Sequence, residues 1–280
     1  MINQQQTDPI DDAPLEYSSP LSFAIAQRDR ETLSMVRHAV ETGHVKLAYQ
    51  PVVRADNPEV PAFYEGLIRV QDHTGRMIPA ADFIDAVESH ELGRKLDMLA
   101  LELGFQTLEQ EPSLRLSINL SARSIGYPGW METLRKGLES CPTAGERLIL
   151  EITERTAIVM PDLVQVFMGE MQGYGISFAL DDFGAGYTAF RYLKDFYFDI
   201  LKIDGAFIRG ISENPDNQVI TEAMLSLASH FDMVTVAESV ESLEDAEFLM
   251  NAGCDLMQGY FFGSPTVRPW WQAEDQRRHA

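Results

Sequence analysis

Cysteine, basic charge and long apolar runs are scarce in this 280-residue chain. The two cysteines, Cys141 and Cys254, lie too far apart for a CxxC metal site and are too few for a disulfide framework, a usage expected of a reducing, cytoplasmic compartment. Lys and Arg number 22 against 43 Asp and Glu, a formal net charge of −21. No basic stripe is available to displace counterions from a phosphate backbone, which excludes a duplex nucleic acid as partner. No apolar run approaches the roughly 18 to 20 residues of a membrane span, and Met1 to Leu15 is polar and acidic, so no membrane association is expected. What the chain does have is 45% hydrophobic and 10% aromatic residues. That is enough for a full core, and the length suits one large α/β barrel or two smaller domains.

The first 20 residues, rich in Gln, Asp, Pro and Ser, read as a flexible tail. A helical pattern over Leu21 to Thr42 follows, and then the period changes. Short apolar segments recur at 45–53, 63–70, 114–121, 148–154, 176–184, 199–205, 233–240 and 256–262, giving eight candidate strands. Helix-length amphipathic stretches separate them: Ala80 to Ser89, Gly93 to Glu109, Pro161 to Gln172, Asn217 to Phe231 and Leu243 to Asn251. Strands apolar on both faces, alternating with helices, predict a parallel sheet covered by helices. The expected fold is a (β/α)8 barrel, with a doubly wound open sheet as runner-up. The link from Val53 to Phe63 carries Pro58 and Pro61 and is too short for a parallel crossover. The first two strands therefore read as an antiparallel hairpin.

These strands contain polar residues that a buried strand disfavours, since an unpartnered acid or amide there costs several kcal/mol. They are Glu65, Asn119, Glu151, Glu154, Asp181, Asp182, Lys202, Glu238 and Gln258. Singly, each has an ordinary reading: Asp-Asp before Phe-Gly as turn chemistry, Lys202 with Asp204 as a local pair, Glu154 as a helix cap. Together, in a barrel, five carboxylates and an amide would meet at one mouth, where their repulsion demands cations. Oxygen ligands suit Mg2+ or Mn2+, and none of the six histidines ends a candidate strand, so zinc is not expected. Adjacent Asp181 and Asp182 suit a pair of ions, the arrangement that serves phosphate-ester displacement. FGAGY (183–187) lacks the third glycine of GxGxxG and the lysine of a Walker loop, and no GxSxG elbow exists. Trp270 and Trp271 read as residues packed on the barrel.

The segments YQPVV, EGLIR, INLSARS, LEITE, LDDFGAGYTAF, LKIDGAFI, VAESVE and GCDLMQGYFFGSP occur in this order. Together they resemble the EAL-domain phosphodiesterases, which hydrolyse cyclic di-GMP. The resemblance spans about residues 21 to 268, leaving 269–280 as a C-terminal tail. It implies that Glu65, Asn119, Glu151 and Asp181 hold a first metal ion and that Asp181, Asp182 and Glu238 serve a second. It implies further that Lys202 positions the nucleophilic water and that Gln258 orients the water network or the scissile phosphate. Arg69 and Gln50 would contact substrate. Glu154 would anchor the loop after Asp182, which in the family couples dimerisation to catalysis. The implied product is linear pGpG, the implied assembly a homodimer, and any regulatory input would come through a partner protein.

Four positions depart from the family pattern: Gly66 within the signature, Val70 after Arg69, Thr188-Ala189-Phe190 in the loop, and Ser239 beside Glu238. None removes a ligand or the lysine, so an active enzyme is expected over a silent cyclic di-GMP receptor using the same pocket. A sugar-processing barrel with paired carboxylates leaves Asn119, Lys202 and the Asp181–Asp182 pair without roles.

Overall fold

Tertiary contacts were read from a computed structural model that describes residues 19–186, 193–194 and 196–271. A helix, Pro20–Glu41, opens it, with Ser19 as its N-cap in a reciprocal pair with Ser22. Nine strands follow: β1 Val45–Arg54, β2 Pro61–Gln71, β3 Met77–Pro79, β4 Leu116–Asn119, β5 Leu148–Thr153, β6 Ser177–Phe183, β7 Ile200–Ile203, β8 Val234–Ala237 and β9 Leu256–Gln258. Hydrogen bonding runs β1-β9-β8-β7-β6-β5-β4-β2, and β1 returns to β2, which closes an eight-stranded barrel. β3 extends β2 outside the ring. β1 is antiparallel to both neighbours, β2 and β9, and the other barrel strands are mutually parallel. The barrel with one reversed strand is thus borne out, and the open sheet is not.

Helices Glu91–Gln110, Pro128–Ser140, Pro161–Gln172, Pro215–His230 and Leu243–Asn251 cover the outside. Helix Pro161–Gln172 and helix Leu243–Asn251 begin and end where periodicity placed them. The stretch 80–89 does not form one helix. It divides into a 3-10 turn, Ala80–Asp82, and a single helical turn, Ile84–Val87, with Phe83, which lies between them, and Val87 both buried in a cluster shared with Val36, Val70 and Leu96. Periodicity missed helix Pro128–Ser140, whose buried side is only Trp130, Leu134 and Gly137. Gly137 is there because the Phe105 ring lies against its Cα, leaving no room for a side chain. Trp271 is buried, its ring 5.2 Å from that of Tyr49 and 4.9 Å from that of Tyr64. Trp270 is exposed, with its indole donating to the Tyr64 hydroxyl.

The inside of the barrel explains where the polar residues go. Val52, Phe63, Ile149, Ala179, Ile200, Val236 and Leu256 form one buried apolar cluster. Two positions along each strand, on the same face by the period of two, stand Gln50, Glu65, Glu151, Asp181, Lys202, Glu238 and Gln258. The barrel interior is therefore an apolar floor carrying a polar layer.

Candidate active site

That polar layer is sealed at its centre by Lys202. Its Nζ lies 2.7 Å from Glu151 Oε2, 2.7 Å from Glu238 Oε1, 2.9 Å from Asp181 Oδ1 and 3.6 Å from Glu65 Oε2. The lysine side chain is 1% exposed. Burial alone would lower its pKa, but the charges of Asp181, Glu151, Glu238 and Glu65 outweigh burial and raise it well above the usual lysine value. Lys202 is a fixed ammonium. The acids respond in the opposite sense: burial and the Glu65 charge push Glu151 up to about 8, and burial raises Glu238 well above the carboxylate range. One ammonium cannot balance four carboxylates, so the layer holds protons or calls for further cations.

Asp181 and Asp182 are neighbours in sequence and should face opposite sides of β6. A bulge removes the conflict. Leu180 pairs with Leu201 and Phe183 with Ile203, so both aspartates oppose the single residue Lys202, and Asp182 takes a left-handed backbone with φ of 57°. An oxygen each from Asp181, Asp182 and Glu238 then lie within 4.8 Å of one another. Burial and the Asp181 charge push Asp182 up to about 6.

The amides organise the carboxylates. Asn119 Nδ2 donates to Glu65 Oε1 at 2.9 Å, and Gln258 Nε2 donates to Glu65 Oε2 at 2.6 Å and to Gln50 Oε1 at 3.2 Å. Gln50 in turn donates to the Gly263 carbonyl. Glu65 is thus gripped from both sides, while Glu151 Oε1 and Gln258 Oε1 are buried with no hydrogen-bond partner. Orphaned buried oxygens beside a trio of converging carboxylates fit divalent cations with hard oxygen ligands.

Glu154 lies just outside this layer, at the start of the short helix Glu154–Val159, and its Oε2 accepts from the Gly184 amide at 3.2 Å. It ties down the second residue after Asp182. The residues Thr188, Ala189 and Phe190, where the loop departs from the family pattern, lie outside the described residues. Arg69 is half-buried beside Glu65, Asp82 and Tyr260, donating to the Ile68 carbonyl, and is not on the cavity wall. Burial lowers its pKa against the pull of those neighbours.

The cavity above the layer holds about 600 Å³, the size of a small-ligand site. Gln50, Glu65, Asn119, Asp181, Lys202, Glu238 and Gln258 line it, whereas Glu151 and Asp182 do not. Asp97, Arg209 and Tyr260, which the sequence reading did not single out, line it too. Asp97 accepts from the hydroxyls of Ser121 and Ser124 at 2.5 and 2.6 Å, and burial raises its pKa. A signal for it existed: Asp97 stands four residues from both Gly93 and Leu101, an acid on the core-facing side of its helix.

Comparison with known proteins gives the family. The EAL-domain family model matches residues 33–265. The chain belongs to the EAL-domain family. It is 31% identical to "Cyclic di-GMP phosphodiesterase PdeB" of Shewanella oneidensis over 82% of this chain and 27% of that protein. It is 33% identical to "Probable cyclic di-GMP phosphodiesterase PdeN" of Escherichia coli over 81% of this chain and 44% of that one. Among solved structures, "PaMucR Phosphodiesterase, c-di-GMP complex" superposes with a TM-score of 0.78 at 28% identity, covering 84% of this chain and 97% of that one. The chain spans between a quarter and a half of the length of these two curated relatives. Among the described residues of this EAL domain, no helix is long and apolar enough to cross a membrane.

Proposed function

We propose that this EAL domain hydrolyses cyclic di-GMP to linear pGpG with the help of two divalent cations, Mg2+ or Mn2+. The observation that carries the reading is the convergence of Glu65, Asn119, Glu151, Asp181, Asp182 and Glu238 around Lys202 at one end of the barrel. Relatives named as cyclic di-GMP phosphodiesterases support it.

In this reading Glu65, Asn119, Glu151 and Asp181 hold one cation, and Asp181, Asp182 and Glu238 the other. Bound there, the cations supply Lewis-acid polarisation of the phosphoryl oxygens and acidify the attacking water. The chain's own residues do the rest. Gln258 and Asn119 hold both oxygens of Glu65, which fixes that carboxylate before substrate arrives. Lys202 offers its ammonium to the charge that develops on phosphorus-bound oxygen, in a site where water does not screen it. Glu154 secures the backbone beyond Asp182 through Gly184. In this reading Gln50, on the cavity wall, and Arg69, close to Glu65, contact the substrate.

The test is direct. Purified protein with Mn2+ or Mg2+ is expected to convert cyclic di-GMP to pGpG, resolved by ion-pair chromatography, and Glu65→Ala is expected to abolish conversion. Tight binding with no product at any cation concentration would instead make the domain a receptor.

A further inference from the structure

Among the described residues, the cavity wall carries five acids and two cations, Lys202 and Arg209. Four carboxylates enclose Lys202. Arg209 is different. Its Nη2 donates to the Ser239 hydroxyl at 3.0 Å and its Nε lies 3.6 Å from Glu241, while the side chain remains 58% exposed. A guanidinium has five N–H donors, so these two contacts leave others to face the cavity. An exposed pair such as Arg209 with Glu241 adds little to folding, and stability does not account for the arrangement.

Ser239 does not sit there without cost. It adopts a left-handed backbone, φ 57°, where a side chain is disfavoured, and it directly follows Glu238. Its Cβ would lie 2.7 Å from a Cβ on residue 205, a clash that Gly205 avoids by having none. Glycine at 205 and strain at 239 thus combine to place one hydroxyl where it grips Arg209 beside the acidic layer.

A cyclic dinucleotide carries two phosphodiesters. If the acidic layer and its cations take the one that is cleaved, the other meets a rim of negative charge in which, among the described residues, Arg209 is the cation not already enclosed by carboxylates. We propose that Arg209, positioned by Ser239, binds the second, non-scissile phosphodiester and is a specificity-determining residue of this domain. The proposal rests on the phosphodiesterase reading above and names a contact within it.

The test compares wild type, Arg209→Ala, Ser239→Gly and the double variant in KM, kcat and cyclic di-GMP affinity by calorimetry. Arg209→Ala is expected to raise KM and Kd about 5- to 10-fold, the loss of one partly exposed charge-assisted hydrogen bond, with kcat within about twofold. Its KM should also depend less on ionic strength than that of wild type. Ser239→Gly relieves the backbone strain, so its melting temperature is expected to hold or rise, yet its KM should still increase. Adding it to Arg209→Ala should have no further effect. Unchanged KM and Kd in Arg209→Ala, or additive effects in the double variant, would overturn the role of Arg209. Absence of pGpG from wild type with the Kd shift intact would overturn only the hydrolytic reading, and absence of both binding and turnover would overturn both.

Discussion

Ile118 occupies the space that a methyl group on Gly66 would need: a Cβ there would lie 2.7 Å from Ile118 Cδ1 and 3.4 Å from Leu47 Cδ1. Gly66 follows Glu65 on β2, at one of the positions that depart from the family pattern. Ile118, fully buried on the neighbouring β4, fills the gap. The glycine therefore leaves no hole. Gly66→Ala is expected to destabilise the barrel by about 1–3 kcal/mol through overpacking, and Gly66→Ala with Ile118→Val to recover most of that loss. Urea melts of the two variants decide it; a stabilised single variant would show that the site is loosely packed.

Lys202 holds the acidic layer together when cations are absent. Lys202→Met removes the ammonium and leaves Glu151 and Glu238 without their 2.7 Å partner. The metal-free variant is expected to lose on the order of 3–5 kcal/mol, the range for breaking a buried pair, together with all turnover. Saturating Mn2+ should raise its melting temperature by more than it raises that of wild type, because added cations then replace the missing charge. Equal shifts in both proteins would argue against that replacement.

Cation binding should be visible as stability without any substrate. A cation at 100 times its Kd adds about 2.7 kcal/mol, and each kcal/mol moves Tm by about 2–4 °C in a domain of this size. Asp182→Asn, which alters one of the three converging carboxylates, is expected to shrink the shift, and a chelator to reverse it. Calorimetry with Mg2+ and with Mn2+ reads both effects. No shift with either ion would speak against the site.

Asp245 gives the acid limb of stability. Burial works to raise its pKa, but hydrogen bonds from the Ser212 and Gly210 amides and the Ser242 hydroxyl outweigh burial and hold it below the usual value. A depressed folded pKa means that the unfolded chain takes up the proton first. The contribution of Asp245 is therefore complete above about pH 4, the unfolded value, and is lost as pH falls further through the folded one. Asp245→Asn should cost about 1.5–3 kcal/mol at pH 7. The gap from wild type should narrow below about pH 4, as followed by urea melts across pH. This carboxylate also fixes the backbone next to Arg209, so the variant is expected to weaken substrate binding as well.

The alternation of apolar segments with helical stretches specified the barrel, and two prolines in a short link specified its reversed strand, because strand burial and crossover length are local properties of a chain. The polar layer was legible for the same reason: an acid inside an apolar strand is anomalous wherever the strand is placed. Tertiary structure alone decided how that layer is wired. Asp181 and Asp182 alternate in sequence and share a face only because a bulge and a left-handed residue undo the alternation. Lys202 meets Glu151 and Glu238 across strands separated by dozens of residues. Asp97 and Arg209 reach the cavity from an outer helix and from a turn after β7. No periodicity encodes such contacts, since which side chains share a cavity is fixed by closure of the ring and not by any local run of residues.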